Sequence, residues 1–339
     1  MKSYNEILSD VTKTATKIPQ SDYLDTGKYR IFDQGKEYSV GFSNDEQDVV
    51  SDYPYIIFGD HTRVVKYVNE PCFIGADGVK LLKVINKDFN PRFVYYNILA
   101  KPIENQGYAR HFKFLKEIQF TEKTLSVQTN IVTELDTIQS AIDNKKQQLS
   151  LLDEAVKSEF VEMFGENPVE SGKWKVEKWA NTVKITNGKD YKKLIVKKGL
   201  YPVYGSGGDM GIHVDEYLCS ENTVIIGRKG NIDKPIFVKE KFWNVDTAFG
   251  LNIDETGINP YYFFEHCKTY DFRSMDTGVT IPSLTKNALF ELNIAVPPLT
   301  LQNQFAAFVQ QIDKSKFVVK QQIADLQELL DSKMQEYFS

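Results

Sequence analysis

Two stretches of the chain, 174 residues apart, carry the same apolar pattern in the same phase. The first runs through Ile131, Leu135, Ile138, Ile142, Lys145, Leu149, Leu152, Val156, Glu159 and Met163. The second runs through Phe305, Val309, Ile312, Lys316, Val319, Ile323, Leu326, Leu330, Lys333 and Tyr337. Alternating steps of four and three are the seam of a coiled-coil helix. Identities recur at the same offset, among them Gln128 with Gln302, Ile138 with Ile312, Ser158 with Ser332 and Phe164 with Phe338. A helix over 131–163 is roughly 50 Å long at ~1.5 Å per residue. A stripe of this kind is marginal in water unless something covers it. The pattern therefore predicts a duplicated unit whose two helices cover each other; the connecting globule permits either parallel or antiparallel packing, and an antiparallel coiled coil is the arrangement expected. The polar seam positions Lys145, Glu159, Lys316 and Lys333 either fix its register or mark where a further protein joins the pair.

The repeat divides the chain into a globule over 1–120, a long helix over 121–166, a second globule over 172–297 and a second long helix over 299–339. Gly165 and then Asn167-Pro168 end the first helix, and Pro297-Pro298 introduces the second. The globules also match in part. Tyr29 to Phe32 followed by Gln34-Gly35 lines up with Tyr201 to Tyr204 followed by Ser206-Gly207. Tyr55 to Gly59 lines up with Thr223 to Gly227, both short apolar runs of the kind buried in a sheet. His61-Thr62-Arg63 follows the first run and Arg228-Lys229-Gly230 the second, which makes Arg63 the counterpart of the later basic pair. Asn90-Pro91 and Asn259-Pro260 each open an aromatic run, with Asn placed as N-cap and Pro in the first turn of a helix. The fold class is α+β: two similar mixed α/β domains joined by two long helices.

At 339 residues the chain exceeds one ordinary core and suits two domains. No apolar run reaches the ~18 residues that suggest a membrane span. The first residues lack the apolar centre of a signal peptide, so the expected location is the cytoplasm. Cys72, Cys219 and Cys267 are scattered, and His61, His111, His213 and His266 have no metal-ligand spacing, so no metal or disulfide framework is expected. The net charge of −5 argues mildly against nucleic acid, but Lys173 to Lys198 holds nine lysines against Glu177 and Asp190. An acidic protein can still present a local basic surface.

The phrase Val296-Pro-Pro-Leu-Thr-Leu-Gln-Asn-Gln304, the terminal Leu326 to Leu330 with Ser332 to Phe338, the turn Tyr204 to Gly208 and the run Thr277 to Leu284 carry a resemblance. With the duplicated globule-plus-helix, they resemble the DNA-specificity subunit of type I restriction–modification systems, over nearly the whole chain. The first globule is the more divergent copy, with Gly107 to Arg110 where the second has Thr277 to Pro282. The resemblance implies two target-recognition domains, each reading half of a bipartite site in double-stranded DNA, and helices that set the spacer. It also implies docking of two methyltransferase subunits, with restriction and motor subunits in the full complex. The chain itself would then be non-catalytic and need no cofactor.

Candidate DNA contacts follow from side chains on tight turns. Arg228 and Lys229 can reach phosphates, and Arg can read guanine bidentately. Arg63 and Gln34 stand at the matching turns of the first globule, and Arg110 and Lys286 are further cations near turns. Ser206 and Gly207 offer backbone for close approach to DNA. The turn Tyr204 to Gly211 is not a nucleotide loop, because Met210 breaks the glycine register and no helix follows. Phe93 to Tyr96 and Tyr261 to Phe264 could stack on bases, but at the start of a helix core packing is the plainer reading. An adenine methyltransferase resembles a Rossmann-like domain with an Asn/Asp-Pro-Pro-aromatic motif. Asn90-Pro91-Arg92 and Asn259-Pro260-Tyr261 lack its second proline. The competing class is a protein-interaction scaffold that uses the coiled coil without reading DNA.

Overall fold

The computed structural model describes residues 1–75, 78–107, 109–196 and 198–339. Tyr108, within the Gly107 to Arg110 stretch, and Lys197, within the lysine run, lie outside the described residues. The chain forms two compact units: residues 1–146 with 321–339, and residues 147–320. Each unit thus holds one globule together with part of both long helices, α4 (Leu125–Phe164) and α8 (Leu299–Phe338).

In the first unit, α1 (Tyr4–Ile7) leads into β1 (Leu8–Asp10), β2 (Tyr29–Phe32), β3 (Gly41–Ser43), β4 (Tyr55–Gly59), β5 (Val65–Val68), β6 (Cys72–Ile74) and β7 (Val79–Val84). Helices α2 (Pro91–Leu99) and α3 (Phe112–Leu115) follow. The main sheet has the order β1-β7-β4-β5, and a smaller sheet has the order β3-β2-β6. In the second unit, β8 (Lys175–Lys178) and α5 (Trp179–Thr182) precede β9 (Val183–Asn187), β10 (Tyr201–Gly205) and β11 (Gly208–Val214). Then come β12 (Thr223–Gly227), β13 (Ile236–Val238), β14 (Trp243–Asn244), β15 (Ala248–Ile253), α6 (Pro260–Cys267), α7 (Lys286–Phe290) and β16 (Asn293–Val296). Its sheets run β9-β15-β12-β13 and β11-β10-β14, with β16 paired to β8.

The two main sheets have one topology. In each, the apolar strand is central, buried along its whole length and antiparallel to the third strand after it; the pairings are Ile56 with Leu82 and Val224 with Leu251. Each small sheet has one antiparallel and one parallel neighbour. The central strands end in glycine for the same steric reason. A Cβ on Gly59 would stand 2.1 Å from Thr62 Oγ1, and one on Gly227 2.1 Å from Asn231 O, so the chain can fold back sharply only without a side chain.

The helices are built into these units by the repeated residues. In the first unit, Ile131, Leu135, Ile138, Ile142, Leu330 and Phe338 share a core with Ile56, Phe58 and Phe93. In the second, Val156, Phe160, Phe164, Phe305 and Val309 share a core with Val224, Phe249 and Tyr262. There the rungs run in opposite senses, with Asp153 beside Lys316 and Phe164 beside Phe305, so the pair is antiparallel. None of the seam positions is exposed, the polar ones included.

The shared Gln128 and Gln302 explain their identity directly. Both are fully buried. Gln128 Oε1 accepts from Asn90 N at 2.8 Å while its Nε2 donates to Asp88 O and Lys123 O. Gln302 Oε1 accepts from Asn259 N at 2.8 Å while its Nε2 donates to Gly257 O and Pro297 O. Each glutamine ties the start of its long helix to the N-cap of the Asn-Pro helix, whose own Asn side chain caps the first turn. Aromatics complete the joint: Phe338 lies 5.0 Å from Phe93, and Phe164 lies 4.8 Å from Tyr262 between ring centroids. The aromatic runs thus serve packing, with Phe93, Tyr96, Tyr262 and Phe263 buried.

Candidate nucleic-acid interface

In the second unit three loops converge beyond the end of the central strand. The turn between β10 and β11 carries Ser206 and Gly207. Beside it is the turn after β12: a Cβ on Gly207 would be 3.6 Å from Asn231 Nδ2, and one on Gly230 3.6 Å from Ser206 Oγ. The third is the 276–284 loop, which pairs with that turn as a short antiparallel ribbon. Lys229 is bridged to Ser283, Gly230 N donates to Pro282 O and Leu284 N donates to Arg228 O. Arg228 and Lys229 are exposed on this ribbon. Arg228 has one long contact, Nη1 to Asp246 O at 3.4 Å, which leaves its guanidinium donors largely available.

The ribbon is held from below. Arg273 binds Asp233 through Nε and Nη2, both at 2.7 Å, and this pairing draws the Asp233 carboxyl below its usual range. Asp276 accepts from Ser283 N and Gly278 N at 2.7 Å each, and those backbone donors draw its carboxyl down too. Lys286, the first residue of α7, is half-buried, and its Nζ donates to Ile185 O at 3.0 Å. That lysine is tied to the sheet and apart from the exposed pair. The lysine run divides: Lys175 and Lys178 on β8 pair with Glu177 and Glu291, while Lys192, Lys193 and Lys198 are exposed before β10.

The first unit assembles the same loops from different chemistry. Gln34, after β2, accepts from His61 N through Oε1 at 3.2 Å and from Thr62 Oγ1 through its carbonyl at 2.5 Å. Because β4 and β12 share a register, the residue after Gly59, Asp60, stands where Arg228 stands in the second unit. Asp60 is buried. Its Oδ1 accepts from Phe112 N at 2.8 Å, and its carbonyl accepts from His111 N at 2.7 Å. Arg63 lies further along that turn at φ +64°, with Nη1 turned back onto Ile103 O at 3.1 Å. Arg110 is exposed next to the buried His111. Next to Gln34 in sequence, Asp33 pairs with the buried Lys66 at 3.3 Å, and burial lowers the pKa of that ammonium. No sequence rule singled out Asp60 or Lys66; only the strand register reveals the first, and an unremarkable alternation in β5 hides the second.

The polar seam positions have partners or cover. Lys316 binds Asp153 at 2.6 Å, and Lys333 binds Glu134 and Glu336 at 3.2 Å each. These carboxylates raise the pKa of Lys333. Lys145 and Glu159 are half-buried. In the second unit, Asp153, Phe160, Phe237, Tyr261, Phe264 and Lys316 line a groove of about 830 Å³ along the helix pair. Among the described residues no cluster of His, Cys, Asp and Glu could hold a metal ion, and no helix is long and apolar enough to cross a membrane.

Residues 172–328 match the family described as type I restriction modification DNA specificity domain. Among solved structures, the chain is similar to the type I restriction–modification S subunit of M. genitalium. That match has 16% identity and a TM-score of 0.62, and covers 100% of this chain and 95% of that one, which establishes a common fold. The HsdS subunit of Thermoanaerobacter tengcongensis matches at 13% identity and a TM-score of 0.41, over 86% of this chain and 81% of that one. A chain from a structure on assembly and conformational transition of the type I R-M system matches at 12% identity and a TM-score of 0.43, over 100% and 99%. No curated protein matches in sequence.

Proposed function

We propose that this chain, whose residues 172–328 match the type I restriction modification DNA specificity domain, is the non-catalytic specificity subunit of such a system and reads a bipartite site in double-stranded DNA. The observation that carries this reading is the ribbon of the second unit. It presents Arg228 and Lys229 to solvent, with Ser206 and Gly207 alongside, inside the segment that matches the family. Exposed cations on a braced ribbon suit phosphate contact and guanine readout. Lys286 would act from below by fixing the sheet edge. In the first unit, Gln34, Arg63 and Arg110 are the corresponding candidates for the other half-site. The long helices would set the spacer. Two methyltransferase subunits, with restriction and motor subunits, would dock along them, and Lys145, Glu159, Lys316 and Lys333 are the candidate contacts. No cofactor is assigned to this chain, and its working compartment would be the cytoplasm.

A mobility-shift series on the chain with its methylating partner tests this, using duplexes in which each half-site is scrambled in turn. Arg228→Ala with Lys229→Ala should weaken binding through one half-site only; equal loss on both would end the assignment of one unit per half. The scaffold alternative draws on the net charge of −5. It requires affinity that stays flat as salt rises, whereas phosphate contacts make affinity fall steeply.

A further inference from the structure

The tip of the 276–284 loop is apolar and open to water. Val279 is fully exposed and Ile281 is 58% exposed, with Thr280 and Pro282 exposed beside them. The loop is braced at its base, on both sides of the tip. Asp276 gathers Gly278 N and Ser283 N, Thr277 N donates to Ser283 O, and the ribbon hydrogen bonds fix Pro282 and Leu284 to the Arg228–Gly230 turn. Gly278 passes so close to Ile281 that a Cβ there would lie 1.9 Å from Ile281 O. The loop thus holds a β-branched side chain out in solvent above a hydrogen-bonded base, on the same ribbon as two exposed cations.

We propose that Val279 is a specificity-determining residue that contacts the 5-methyl group of a thymine in the major groove. The proposal rests on the DNA-reading function above and names one base feature within it. A two-stranded ribbon fits the major groove, and the thymine methyl is the apolar feature displayed there. Arg228 and Lys229 supply the charge complementarity to the adjacent backbone, so the occupant of this tip is duplex DNA.

The test uses the chain in complex with its methylating partner and a target site taken from methylation mapping. Each thymine of the half-site read by the second unit is replaced in turn by deoxyuridine, which removes only the methyl group. One replacement should weaken binding by the unaltered complex about fourfold, the worth of one apolar methyl. The Val279→Ala complex should bind thymine and deoxyuridine duplexes alike at that position, and its salt dependence should match the unaltered complex. Losses from Val279→Ala and from deoxyuridine that multiply at every position would overturn the proposal, as would a half-site insensitive to deoxyuridine. Sequence discrimination without a Val279-dependent thymine defeats this inference alone; no discrimination at all defeats the function reading and this inference with it.

Discussion

The two units keep the same interior and differ at the turns. Gln128 and Gln302 make equivalent hydrogen bonds, Asn90 and Asn259 cap equivalent helices, and Phe338 and Phe164 close equivalent aromatic joints. At the end of the central strand the likeness stops. Asp60 is buried and caps the next segment, where Arg228 is exposed and nearly unpartnered. One acidic side chain became structural while its basic counterpart stayed on the surface. A duplicated scaffold can therefore hold constant what joins globule to helix while its surface turns diverge, which is what the proposed reading of two unlike half-sites requires.

The shared interior should respond alike in both units. Gln128→Leu and Gln302→Leu each strand a buried N–H and two carbonyls, at a cost of about 3–5 kcal/mol. Urea unfolding followed by hydrogen exchange should show each loss in its own unit. A large loss from one substitution and none from the other would break the equivalence.

Acid should separate the units. His266 occupies on α6 the position that Asn97 occupies on α2; both are fully buried, and Asn97 and His266 Nδ1 lack hydrogen-bond partners in the protein. Burial pushes the His266 pKa down to about 4, from an ordinary value of 6.5. The unfolded chain therefore binds the extra proton first as pH falls below 6.5, and stability drops between pH 6.5 and 4, by about 3 kcal/mol over the full window. Asn97 does not titrate. Exchange protection of residues 147–320 should fall at pH 5 relative to pH 7, and His266→Asn should remove that dependence. Equal acid sensitivity in His266→Asn would place its origin elsewhere.

The turns should differ in kind. Arg228→Ala should cost about 1–3 kcal/mol of discrimination at one base pair and leave thermal stability unchanged. Asp60→Ala should do the reverse, lowering the stability of the first unit by about 1–3 kcal/mol through the orphaned Phe112 N–H. Paired melting and mobility-shift measurements on both variants would expose any exchange of these roles.

Much of this was legible in the sequence because it rests on periodicity. The 174-residue offset gave away both long helices and the duplicated core, and the Asn-Pro pairs marked α2 and α6. The buried role of Gln128 and Gln302 was visible only as an identity, since an amide's partners depend on loops that meet it in three dimensions. The candidate contacts were less legible. Alignment by charge set Arg63 against Arg228, while strand register sets Asp60 there, because a turn of different length shifts the charge without shifting the sheet. Lys286 reads as a free cation until its carbonyl partner on β9 is seen.

The smallest expected effect concerns the seam, where the units again differ. Lys316 meets Asp153 in the second unit, but the corresponding positions in the first unit are Ile142 and Gln327. Asp153 is largely exposed, so the pair is screened, and Lys316→Met should change stability by less than about 1 kcal/mol. A seam residue kept for folding would show nothing more. If Lys316 is a partner contact at the mouth of the groove, the same variant should bind the methylating subunit at least about tenfold more weakly, a loss of ~1.4 kcal/mol that appears only in the complex. Pull-down titration alongside melting separates the two, and unchanged partner affinity would assign Lys316 to register alone.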